Sequence, residues 1–338
     1  RTGEILYLML ARASDNARLS QLLKQHFFNS ESSTWHAIVR ALQPESDNIG
    51  TTDLILGGYL PYNHHICFDA LCRDWISILS LPIPFYDMIP HLARLAGLHL
   101  IRYQQVVARE WIEDSEQLNF VCEIIAPKRT SVRELSIDYY LKNNLYPLKT
   151  VETFLSNIEA SEAWQKAILG DTPFEACKKL LIDAVCWPRK SSDYSGPMTP
   201  SELLSELRVK AKKRHGQHFG NIHRIYGRET GLVSRRGTNR YRYAPNDHLL
   251  RSLVLCNVED HIELREFLDR LWNRYSLVIG PDEASKLSND AAPDIDRKAF
   301  ELNANRLEQR LSSIGLLKRL SDGCAYVMTP YRNEANGE

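Results

Sequence analysis

The chain has 338 residues with 42 Lys or Arg against 42 Asp or Glu, 43% hydrophobic and 25% charged. This is the composition of a folded globular protein with room for two or three cores, and it excludes a disordered or fibrous chain. No apolar run approaches the roughly 18 residues of a membrane-spanning helix, and the seven scattered cysteines read as reduced core residues rather than a disulfide framework. The opening Arg1-Thr2-Gly3-Glu4 has no basic-then-apolar leader pattern, so a cytoplasmic location is expected. The missing initiating Met reads as a start inside a longer protein.

The first 190 residues are expected to form a multi-helical domain. Apolar spacing predicts helices over 4–12, 17–27 and 33–43, the last through Trp35, Ile38, Val39 and Leu42, then over 66–80 and 85–112. Phe120 to Ile125 reads as a strand. Helices return at 131–143, 148–168 and 173–187, the last opened by Thr172-Pro173-Phe174-Glu175. Turn formers between Ser191 and Pro197 mark a boundary.

Residues 191–245 read as a basic segment made of one helix and one hairpin. Thr199-Pro200-Ser201-Glu202 supplies a helix start, and the helix is expected to reach about Arg214. A Gly-broken stretch follows. Leu232 to Arg236, Gly237-Thr238-Asn239 and Arg240 to Tyr243 then predict a hairpin, with Arg240 and Arg242 on one face and Tyr241 and Tyr243 on the other.

Residues 246–332 carry amphipathic helices at 261–275 and 296–314, Gly315 as a C-cap, and a hairpin of 316–320 with 324–328. Helix, helix and hairpin in that order resembles the winged helix-turn-helix superfamily. The fold expected for the whole chain is therefore mainly α, ending in a winged-helix-like domain. The resemblance implies that the second helix enters a major groove, its polar face carrying Arg297, Asn303, Arg306 and Arg310. Many winged helices serve protein contacts instead, and the acids Asp294, Asp296, Glu301 and Glu308 favour that use.

Charge is unevenly distributed. Between Arg208 and Arg242 there are eleven cations and one acid, Glu229, with His215, His218, His223, Tyr226 and Tyr241 interleaved. Every other part of the chain is slightly acidic. Such a concentration points to a polyanion, and nucleic acid is the usual one. The expected phosphate contacts are Arg208, Lys210, Lys212, Lys213, Arg214, Arg224, Arg228, Arg235, Arg236, Arg240 and Arg242, with Tyr241 beside them and Arg306 and Arg310 from the later helix. A solvated basic face, or one docking an acidic partner or RNA, is the alternative.

No catalytic residue, metal ligand or cofactor is expected. His64, His65, Cys67 and Cys72 do not match a zinc module. Glu123, followed by Lys128 and Arg129, has the wrong spacing for a metal-dependent nuclease core. Phosphate-cradling glycine loops and a Gly-x-Ser-x-Gly elbow are missing from the sequence.

Two further groups of residues carry a family resemblance. The first is Arg1 to Arg12 with Gly58-Tyr59-Leu60-Pro61-Tyr62. The second is Tyr241 to Pro245 with Arg265 to Leu268 and Val278-Ile279-Gly280-Pro281. They resemble uncharacterised proteins encoded in bacterial defence islands beside DNA-modification-linked restriction components. The resemblance implies a non-catalytic DNA-engaging subunit, duplex favoured, that works with a separate ATPase or nuclease.

Overall fold

The computed structural model describes residues 2–27, 38, 62–114, 116–127, 129–235, 240–287, 295–321 and 324–331. The protein is mainly α-helical, and among the described residues no helix is long and apolar enough to cross a membrane. The expected helix at 33–43 and the turn of the basic hairpin lie largely outside the described residues. The chain divides into two compact units, and neither is continuous in sequence. One comprises 1–103, 118–140 and 226–338, the other 104–117 and 141–225. The boundaries expected near 190 and 245 do not separate them.

In the first unit, helix Ile66–Leu79 is the central element, burying Cys67, Phe68, Leu71, Cys72, Ile78 and Leu79. Helices Thr2–Ala11, Asn16–Phe27 and Asp247–Asn257 pack against it. Asp74 sits within this core, accepting from Arg274 and lying 2.7 Å from His99 Nε2. The expected strand at 120–125 is reduced to Phe120–Val121, paired in parallel with Leu277–Val278. Beyond it the backbone bonds elsewhere: Glu123 N donates to Tyr243 O (2.9 Å) and Ile124 N to Asn303 Oδ1 (2.8 Å).

The C-terminal stretch of this unit runs as helix 247–257, strand His261–Glu263, helix Leu264–Tyr275, short helix Pro281–Ser285, helix Arg297–Ser313, and strands Leu317–Ser321 and Cys324–Met328. The three strands form an antiparallel sheet with 324–328 in the centre. The expected hairpin is therefore present and gains a third strand. Phe300, Leu307 and Leu311 form the buried stripe of helix 297–313.

In the second unit, Leu155, Trp164, Cys177, Leu181, Leu203, Leu204 and Leu207 make one core. It is assembled from helices Glu162–Ile168, Pro173–Val185 and Pro200–Gln217 and the later turns of Ser131–Ala160. That last helix is unbroken where the sequence predicts two. Pro147 removes one donor from its middle, and the flanking Tyr146 and Leu148 are buried, so packing offsets a defect of about 3 kcal/mol. The break comes later, at Ser161, whose side chain accepts from Trp164 N and caps helix 162–168.

The stretch expected to be Gly-broken is instead a helix, Phe219–Glu229. Gly227 is needed there, since a Cβ would come within 2.5 Å of Val233 Cγ2. Gly231, at φ +85°, then turns the chain beneath the Asn246 side chain, which caps helix 247–257.

Candidate nucleic-acid interface

Helix Pro200–Gln217 turns Leu203, Leu204 and Leu207 inward, and the residues after that stripe determine which cations face water. Lys212, Lys213 and Arg214 are exposed and make no ion pair among the described residues. Two earlier cations are engaged. Arg208 donates to Glu159 Oε2 (2.6 Å) and Ser156, while Lys210 pairs with Glu206 (2.9 Å), donates to the Asp193 carbonyl and lies 5.0 Å from the Trp187 ring centre. Arg224 is exposed and donates to Asn221 Oδ1. Of the interleaved histidines, His215 and His223 are buried. Burial lowers the pKa of both, His223 to about 3 with Arg109 adding to the effect. Neither adds positive charge at neutral pH.

The remainder of the basic segment belongs to the first unit. Arg228 and Arg240 are exposed and unpaired among the described residues. The Arg235 guanidinium lies 5.0 Å from the Tyr241 ring centre and donates to its hydroxyl at 3.4 Å, and Tyr241 in turn stacks on Tyr140. Arg236 lies outside the described residues. The hairpin is short, with Val233–Ser234 opposite Arg242–Tyr243.

Arg242 departs from expectation. It is 3% exposed, and its Nε donates to Oε2 of the fully buried Glu123, whose Oε1 accepts from Arg133 Nε at 2.8 Å. A buried carboxylate draws in both guanidiniums, so Arg242 is buried although it keeps the face it shares with Arg240, both lining one cleft. Arg242 is a structural cation. Tyr243 is buried too and packs, like Tyr241, against Tyr140, so the two tyrosines keep the common face that alternation predicts.

Helix 297–313 is corrected in the same way. Asn303, expected on the polar face, is fully buried and bonds the Cys122 and Ile279 carbonyls and Ile124 N. Arg310 donates to Asp247 and to Pro245 O (3.2 Å), and Arg297 pairs with Asp282 and Glu301. Arg306 is half-buried without an ion pair among the described residues.

The residues weighed for metal chemistry have local partners. His65 Nδ1 accepts from Cys67 N at the start of helix 66–79, and His64 lies 2.8 Å from Asp69. Both oxygens of Glu123 are taken by arginines. Among the described residues no cluster of three His, Cys, Asp or Glu is placed to hold a metal.

Sequence reasoning missed two groups of cations. Arg189 and Lys190 share a cleft with Lys210, Lys213 and Arg214. Arg129 and Arg133 share another, of about 440 Å³, with Arg240 and Arg242. Arg189 and Lys190 follow Pro188 just beyond helix 173–185, while Arg129 precedes helix 131–160 and Arg133 lies in its first turn, placements that charge counting in one window passes over. No family model, curated protein or solved structure matches this chain.

Proposed function

We propose that the protein is a non-catalytic DNA-binding subunit that contacts the phosphate backbone through Lys212, Lys213, Arg214, Arg228, Arg235 and Arg240. One observation carries this reading: a chain of zero formal net charge keeps these cations in water without acidic partners among the described residues. A protein that needed them only for solubility would intersperse acids, as helix 297–313 does. Binding of this kind neutralises phosphates and releases counterions, and it carries no sequence readout. Duplex is the favoured target. The resemblance to defence-island proteins extends the proposal to an anti-phage restriction complex in the cytoplasm, with the reaction performed by a partner ATPase or nuclease.

The C-terminal sheet and helices support use as a winged helix, and within it a protein-contact role is the second reading. Its second helix has Arg297 and Arg310 engaged by acids, while Leu302 and Leu320 stand 47% and 59% exposed. That pattern suits a scaffold or adaptor docking another subunit better than a groove reader.

The test is fluorescence anisotropy with a labelled duplex across a salt series. A log–log slope of up to about −5 is expected if all six cations engage phosphates. Arg228→Glu with Arg240→Glu should weaken binding by at least about tenfold and flatten the slope by about two. No binding at low salt, or a slope near zero, refutes the proposal.

A further inference from the structure

Helix Pro173–Val185 ends at Cys186 in the left-handed region, φ 52°, and the chain returns through Trp187 and Pro188 to the exposed pair Arg189 and Lys190. Their backbone N–H groups both donate to Asp193 Oδ2 at 2.9 Å, which fixes the turn and holds the Asp193 carboxylate at the edge of the cleft. This turn faces the second half of helix 200–217. The two enclose a cleft of about 750 Å³, floored by Val185, Leu207 and Ala211 and walled by Arg189, Lys190, Lys210, Lys213 and Arg214.

We infer that this cleft binds a compact oligophosphate, two or three consecutive phosphate groups held together by cations from two separate elements. The alternative, a solvated basic face, does not require convergence. Here a pair at 189–190 is brought against a trio some twenty residues later in sequence, at a cost in mutual repulsion that a bound anion relieves. Lys210 is anchored by Glu206, the Asp193 carbonyl and the Trp187 ring, leaving four cations around it for the ligand. Two helix C-termini lie nearby, each equivalent to about half a negative charge. Together with the Asp193 carboxylate in the lining and Glu206 on Lys210, they reduce the field of the five cations without cancelling it. The volume suits a ligand of nucleotide size.

Consecutive phosphates come either from a free nucleoside polyphosphate or from a single strand threaded through the cleft. The inference shares Lys213 and Arg214 with the proposed DNA contacts and rests on that reading to this extent only. Arg189 and Lys190 belong to the cleft alone.

The cleft carries its own reporter, because Cys186 lines it and is exposed. In a Cys324→Ser protein, Cys186 labelling by neutral N-ethylmaleimide is followed by mass spectrometry. Separate arms use sodium tripolyphosphate, metal-free ATP and a twelve-residue oligothymidylate, all at matched ionic strength. At least one probe should slow labelling severalfold and bind by calorimetry. Arg189→Glu with Lys190→Glu should weaken that binding by at least about tenfold. Lys190→Gln, which leaves the turn's backbone bonds intact, should weaken it less. Protection by tripolyphosphate and ATP assigns a free nucleotide, and protection by oligothymidylate alone assigns a strand. Absence of protection by all three overturns the inference, as does full binding in the folded double variant. If duplex binding still depends on Arg228 and Arg240, only the cleft reading falls. If tripolyphosphate binds and duplex does not, only the DNA reading falls.

Discussion

At the scale of single residues, the determining fact is how buried charge is matched. Glu123 is fully buried between Arg133 and Arg242, and each guanidinium depends on it for neutralisation. Removing one member of such a group leaves an uncompensated charge in the interior, typically at 3–5 kcal/mol. Glu123→Gln is therefore expected to lower unfolding free energy by about 3 kcal/mol in urea titrations while leaving exposed Arg228 and Arg240 in place. A change below about 1 kcal/mol would mean that water reaches the arginines. Histidine supplies a second residue-scale prediction. His223 is buried and its folded pKa of about 3 lies below the ordinary value of about 6.5. Between those values the unfolded chain takes up a proton that the native state refuses, so stability is complete above pH 6.5 and falls as pH drops towards 3. The loss from pH 6.5 to 5 should be about 1.5–2 kcal/mol for this one group. His91, lowered to about 4 by burial with Arg94 and Arg251 adding to the shift, acts in the same direction. His223→Gln should flatten the acid limb of a denaturation series, and an unchanged limb would assign the loss to other groups.

Among elements, the contrast is between helices visible in apolar spacing and contacts that spacing cannot reveal. Helices 66–79, 85–111, 173–185 and 264–275 follow from periodicity, because each buries one stripe. The parallel pairing of Phe120–Val121 with Leu277–Val278 does not, since two-residue strands over 150 positions apart leave no local pattern. Helix 219–229 was hidden because glycines normally weaken helices, while Gly227 is present here to admit Val233. Asn303 was legible in principle: it lies three residues after Phe300 and four before Leu307, on the stripe that turns inward. Its amide ties helix 297–313 to the backbone at 122, 124 and 279. Asn303→Leu leaves three buried backbone groups without partners and should cost about 3 kcal/mol or more. Arg306→Leu on the same helix should stay within about 0.5 kcal/mol, and equal effects on thermal unfolding would contradict this account.

For the whole molecule, charge and chain order give different lessons. Zero net charge means that attraction to a polyanion comes from the exposed cations and is felt only within a Debye length, about 8 Å at physiological salt. Stopped-flow association with duplex should therefore slow severalfold between 50 and 200 mM salt, and a salt-independent rate constant would exclude electrostatic steering. The basic run itself was plain in the sequence. Which of its members reach water was not, because that depends on Glu123, Glu159 and Glu206, acids outside it or at its edge. The division into units was also illegible, since composition marks 191–197 while the core joins Trp164 and Leu181 to Leu203 and Leu207 across that stretch. This interleaving bears on synthesis. A nascent chain released as far as residue 190 holds only part of each core, and Phe120 and Val121 wait for Leu277 and Val278. The first unit cannot close until the strand at 324–328 is made, so the emerging protein carries bare apolar surface on the ribosome, where chaperones would meet it.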